Sequence, residues 1–236
     1  MTQRMPTADR SDSLAALQER VLRCRLCPRL VEWRERVGRE KVRRFADQEY
    51  WARPVPSFGD PGARLLVIGL APAAHGGNRT GRIFTGDRSG DWLFRALHKF
   101  GFANQPVSVH RNDGLRLRDC YVTAAVRCAP PQNKPLPQEI TNCRPYLLRE
   151  LELLKRVRVI LALGRLAFDV AIASVGLEEQ ASRRPKFEHG AECQLRNGVK
   201  LIASFHPSQQ NTFTGKLTEP MFDQVFTRVR EMVSSQ

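Results

Sequence analysis

Four short apolar runs, with helical patterns in the gaps between them, constrain this chain more than anything else in it. The runs are Leu65–Leu70 (LLVIGL), Cys120–Val126 (CYVTAAV), Val157–Leu163 (VRVILAL) and Leu201–Phe205 (LIASF). They are mostly continuous rather than alternating, as strands are when both faces of a parallel sheet are covered. Apolar residues recur at helical spacing over Asp12–Arg23, Trp92–Phe100, Pro137–Lys155, Leu166–Val175 and Phe222–Val233. Strands alternating with helices imply right-handed crossovers and an open α/β sandwich. With 236 residues, one core and a single domain over 1–236 are the expectation, with 1–12 as a flexible N-terminus. Ligands of such sheets bind outside the carboxyl ends of the strands. The segments after Leu70, Val126, Leu163 and Phe205 are therefore the places to look for chemistry.

Charge narrows the class of partner. Lys and Arg number 38 against 24 Asp and Glu, a formal charge of +14, and ten basic but only three acidic residues fall between Arg20 and Arg44. Such an excess suits either a polyanion partner or a solvated basic surface. No apolar run approaches the ~20 residues that span a bilayer. The N-terminus MTQRMPTADRSDS has no apolar signal-peptide core. A cytoplasmic protein without a membrane partner is expected.

In a reducing compartment the six cysteines are not expected as disulfides. Cys24 and Cys27 form a CxxC (RCRLCPRL), and Cys128 and Cys143 bracket fourteen residues (CAPPQNKPLPQEITNC). Two residues between ligands let one local turn aim both sulfurs at a point. The wider, Pro-rich second pair is less typical of a zinc ribbon and suits an iron–sulfur cluster at least as well, so spacing alone leaves the metal open. Cys120 and Cys193 fall in strand-like segments and read as small core residues.

Two long loops stand out, Ala71–Gly90 and Ala129–Pro137. The first, APAAHGGNRTGRIFTGDRSG, carries five glycines that allow close backbone approach to a ligand. It contains neither GxxxxGK[ST] nor GxGxxG, so it is no phosphate loop of those types. Phe84 within it either stacks on a base or anchors the loop to the core. His206 sits where the last apolar run ends, and Pro207 turns the chain out of the strand.

Together these segments resemble a family. GLAPAAHGGNRTGRIFTGDRSG (69–90) resembles the first active-site motif of family 5 uracil-DNA glycosylases with an iron–sulfur cluster, and HPSQQNTFTGKLT (206–218) resembles the second. The CxxC, RCAPPQNKP (127–135) and Cys143 resemble their cluster ligands. The likeness runs from about Cys24 to Thr218. It implies a three-layer α/β/α sandwich around a four-stranded parallel sheet, and a [4Fe–4S] cluster on Cys24, Cys27, Cys128 and Cys143. It implies a monofunctional glycosylase of base excision repair that flips uracil, and other deaminated bases, out of single- or double-stranded DNA and hydrolyses the glycosidic bond. A monomer is expected.

The resemblance also implies roles. Phe84 stacks on the flipped base, while the backbone at Leu70 and Ala71 and the side chain of His206 hydrogen-bond its edge. Gln209, Gln210 and Asn211 press on the duplex. The usual carboxylate near Leu70 or Ala71 is absent, which makes Asn78 the candidate for positioning the water; Asp87 is a weaker one, because it also suits a helix cap. Where related enzymes read the uracil edge with an Asn, this chain has Ala124, so discrimination is expected to be looser. Two rivals remain at this stage. One is a nucleic-acid-binding protein stabilised by zinc; the other is an inactive relative that binds uracil-DNA.

Overall fold

The computed structural model describes residues 13–177 and 185–234; the segment expected to be a flexible N-terminus, 1–12, lies outside them. Helices α1 (Leu14–Leu22) and α2 (Pro28–Glu40) precede strands β1 (Phe58–Gly59) and β2 (Leu65–Gly69). Then follow α3 (Gly77–Thr80), α4 (Arg88–Lys99), β3 (Cys120–Ala124), α5 (Pro137–Leu153), β4 (Val159–Leu163) and α6 (Arg165–Val175). The chain continues through β5 (Glu192–Gln194), β6 (Lys200–Ser204), α7 (Gln209–Phe213) and α8 (Glu219–Ser234).

All four apolar runs are strands, and they pair parallel in the order β3-β2-β4-β6. Every residue of β2, β3 and β4 is buried, which is why those runs are continuous in sequence. The sheet is wider than the four strands expected: β1 and β5 add antiparallel edges, making six. These edges are short and mostly half-exposed or polar, so no apolar run marks them. On one face, Phe94 and Leu97 of α4 pack with Phe222 and Phe226 of α8. On the other, Leu147 of α5 packs with Phe168 and Ile172 of α6. The result is the expected three-layer sandwich.

The helix α2 departs from expectation. Its buried face is Leu30, Val31, Arg34 and Val37, so a buried arginine interrupts the apolar stripe and the surrounding charges hide the period. Pro28 starts it, where a missing N–H costs nothing. A second difference lies in α4, which begins at Arg88 rather than Trp92 because the Asp87 side chain caps it, accepting from Gly90 N at 3.0 Å. Among the described residues no helix is long and apolar enough to cross a membrane.

The topology fixes where a ligand goes. The chain leaves β2 toward β3 on one side and returns past it to β4 on the other, so a crevice opens at their carboxyl ends. Gly164, just past β4 with φ of 96°, closes that edge: a Cβ there would lie 3.3 Å from the Cβ of His206.

Candidate active site

Strand pairing continues one step beyond β2 and β3, through Ala125 N to Gly69 O and Val126 N to Leu70 O, each 2.9 Å. This sets Leu70 and Ala71 at the crevice, with Ala124, fully buried, opposite Gly69. The loop then winds through α3 and brings Phe84 back over the strand end. The ring leaves no room for a side chain at residue 69, since an ideal Cβ on Gly69 would lie 2.6 Å from Phe84 Cζ. Phe84 has φ of 53°, a conformation that costs ~1–3 kcal/mol unless its surroundings hold it. Arg82 holds it. Its Nε donates to Thr85 Oγ1 (3.0 Å), and Nη2 donates to Ser108 Oγ (2.7 Å) and Asp113 Oδ2 (2.6 Å). Against the upward push of burial, Arg82 and the N–H groups of Leu115 and Val109 keep the Asp113 carboxyl well below the usual range. The ring is 8% exposed and belongs to the core cluster, so Phe84 anchors the loop as well as flooring the crevice.

His206 arrives from β6. Its ring centroid is 6.0 Å from that of Phe84, inclined by 32°. Burial pulls its pKa down to about 4, so the imidazole is neutral near pH 7. Asn211 Nδ2 donates to His206 O at 2.9 Å. Its amide thus ties the His206 segment down; Asn211 itself is half-buried in α7, beside the exposed Gln209 and Gln210. The same helix presents Phe213, 69% exposed, with the Arg88 guanidinium 4.3 Å from its ring centre. Nothing in the sequence distinguished this phenylalanine from a core residue.

Asn78 is fully buried. Its Nδ2 donates to the main-chain carbonyl of Arg34 at 3.2 Å, and Oδ1 has no partner among the described residues. Asp87, the weaker candidate for holding water, is a helix cap, and burial raises its pKa.

The four spaced cysteines converge. Cys24, Cys27, Cys128 and Cys143 line one cleft together with Leu30, Val126 and Asn142. Three sulfurs accept from N–H groups: Cys128 from Arg34 Nη1 (2.9 Å), Cys143 from Arg127 N (3.3 Å) and Cys27 from Asn142 Nδ2 (3.5 Å). Burial pushes the Cys128 and Cys143 thiols up to about 11 and about 12, so the thiolate forms need added positive charge nearby. Cys120 is fully buried in β3, and Cys193 is half-buried in β5.

The profile of the Uracil DNA glycosylase superfamily matches residues 56–230. A type-5 uracil-DNA glycosylase of Mycobacterium bovis is 51% identical over 221 residues, 93% of this chain and 82% of that protein. Those of Thermus thermophilus and Pyrobaculum aerophilum are 52% and 47% identical, over 89% of this chain and 93% and 88% of theirs. The chain belongs to the Uracil DNA glycosylase superfamily, among its type-5 members. The structure also shows a buried polar network that left almost no signal in the sequence. Arg127 and Glu150 form a fully buried ion pair at 2.5 Å. Thr123 Oγ1 donates to the same carboxylate at 2.6 Å, and Arg127 Nη1 also donates to Ser57 Oγ. The pair fastens the cysteine-bearing segment after β3 to α5. Its only sequence signal is that Arg127 precedes Cys128.

Proposed function

We propose that the protein removes uracil, and other deaminated bases, from DNA in base excision repair, hydrolysing the glycosidic bond of a flipped nucleotide. The observation that carries this reading is the meeting of Phe84 and His206 at the carboxyl edge of a sheet in a type-5 superfamily member. The aromatic face offers stacking to a flat base, and the neutral imidazole offers an N–H. A donor aimed at a pyrimidine oxygen becomes more valuable as negative charge gathers on the departing base. Neutrality suits that role, because a neutral donor stabilises the anion without protonating it. Asn78 Oδ1, a lone buried acceptor, would hold the water that attacks the sugar carbon. Ala124 offers no side-chain hydrogen bond at the end of β3, so base reading would fall to the backbone at Leu70 and Ala71.

The cofactor in this reading is a [4Fe–4S] cluster. The four thiols share one cleft. What favours a cluster over one zinc is the wide, Pro-rich spacing of Cys128 and Cys143 and the likeness of the cysteine segments to the cluster ligands of the family. When bound, the cluster would supply a cross-link between the α1–α2 junction and the segments of Cys128 and Cys143. DNA would lie over the basic surface of 20–44, with Gln209, Gln210 and Phe213 against the strand beside the vacated space. The protein would act as a cytoplasmic monomer on single- or double-stranded DNA.

An oligonucleotide with one uracil, incubated with purified protein and cleaved with alkali, tests the activity. Strand scission at the uracil position supports the reading. Tight binding to the oligonucleotide without abasic sites would make the protein an inactive binder. Visible absorbance and iron content separate the cluster from zinc, which leaves the protein colourless.

A further inference from the structure

Arg34 is an anomaly in α2. It is 2% exposed, and no carboxylate hydrogen-bonds it among the described residues. Glu35, next to it in the chain, feels its charge but is itself paired with Arg25. A buried guanidinium with no hydrogen-bonded anion costs several kcal/mol unless its surroundings supply more negative charge. Its Nη1 reaches Cys128 Sγ at 2.9 Å, Nη2 points at Cys24 O at 3.5 Å, and Nε has no partner. A [4Fe–4S] core held by four thiolates carries net negative charge, and it would supply the missing anion at this end of the side chain. At the other end, the Arg34 main-chain carbonyl accepts from Asn78 Nδ2 at 3.2 Å. Only a donor can face that carbonyl, so this bond decides that Asn78 presents Oδ1 as its free acceptor.

We propose that Arg34 is a positioning residue that joins the cysteine site to the pocket: the side chain holds the Cys128 sulfur, and the main chain orients the Asn78 amide. The inference rests on the cluster reading and on the water-holding reading of Asn78 above; an N78A variant that excises uracil at the wild-type rate would sink the latter alone. Two links in series make it specific, since α2 is a single helix and any shift of its buried face moves both contacts together. Loss of the cluster would then disturb the water-holding amide, and a change at Arg34 would be felt by the iron. Outer-shell partners of this kind typically carry 10–100-fold in metal affinity or activity.

The test uses full-length protein with its cluster and the variants R34Q, R34K, N78A and R34Q/N78A. R34Q removes the charge and should lower the midpoint reduction potential, because an N–H···S bond and a nearby cation favour the more negative, reduced core. It should speed iron release to a chelator by about 10-fold or more, and R34K should restore part of both. In single-turnover excision N78A should cost less in the R34Q background than in wild type, as coupled residues do. A potential and an iron-release rate in R34Q equal to wild type, with excision effects that multiply independently, would overturn the proposal and leave Arg34 as packing. If R34Q does not fold, the potential and iron release of R34K decide on the same terms. Wild-type protein free of iron would instead sink the cluster reading itself.

Discussion

At the scale of single residues, His206 is where burial becomes chemistry. If it donates to a base oxygen that gains charge, its loss belongs to the chemical step, and removing one such donor costs ~10²–10³ in rate. His206→Ala should therefore slow single-turnover uracil excision by about that factor with little change in DNA affinity. An unchanged rate at saturating enzyme would reduce His206 to a residue that holds its loop. Burial also makes it a stability element. Its folded pKa of about 4 lies below the ~6.5 of an unfolded histidine. Between those values the unfolded chain binds more protons, so stability is full above ~6.5 and falls as pH drops toward 4. Thermal melts should show His206→Gln losing less stability than wild type across that window. His75 and His189, whose pKa values burial also lowers, form a background common to both proteins.

At the scale of elements, the cysteine site is held by neighbours as much as by any metal. Glu150 on α5 and Arg127 after β3 are both fully buried and neutralise each other. Removing one partner of such a pair costs ~3–5 kcal/mol, because the other is left charged in the core. Glu150→Ala should therefore lower the unfolding free energy from denaturant titration by an amount of that order, and the midpoint with it. Replacing both partners with apolar residues should recover much of the loss. A Glu150→Ala midpoint close to wild type would mean water reaches Arg127. The thiols divide in the same way. Cys128→Ser removes a cleft-lining sulfur with a buried arginine against it and should abolish bound iron and lower solubility. Cys193→Ser, on the edge strand β5, should keep wild-type iron content. Equal iron in the Cys128→Ser variant and wild type would remove Cys128 from the ligand set.

At the scale of the whole molecule, the net charge of +14 sets how the protein meets a polyanion. Phosphate contacts release condensed counterions, so log affinity falls linearly with log salt. Binding to a uracil-containing duplex should weaken by at least about tenfold between ~50 and ~200 mM salt. Charge reversals on the exposed Arg39, Arg43 and Arg44 should flatten that slope. A dissociation constant indifferent to salt would show that the basic surface faces solvent and not DNA.

The sequence by itself determined the layers, because each central strand is buried along its whole length and a continuous apolar run records that without reference to partners. It also marked the crevice, since Gly69 and His206 lie at strand ends whose position follows from the α/β alternation, whereas the return of Phe84 over Gly69 is a tertiary contact. The edge strands β1 and β5 were illegible because short, half-exposed pairing leaves no period. The helix α2 was hidden by the arginine in its buried stripe, and that arginine makes sense only beside Cys128, 94 residues away. Asn211 and Phe213 share one short helix, yet one turns inward to His206 O and the other stands in solvent. That division, like the pairing of Arg127 with Glu150 and the orientation of the Asn78 amide, depends on which distant groups pack nearby. A linear pattern records burial and period; the partner that satisfies each buried charge or amide was decided only by tertiary packing.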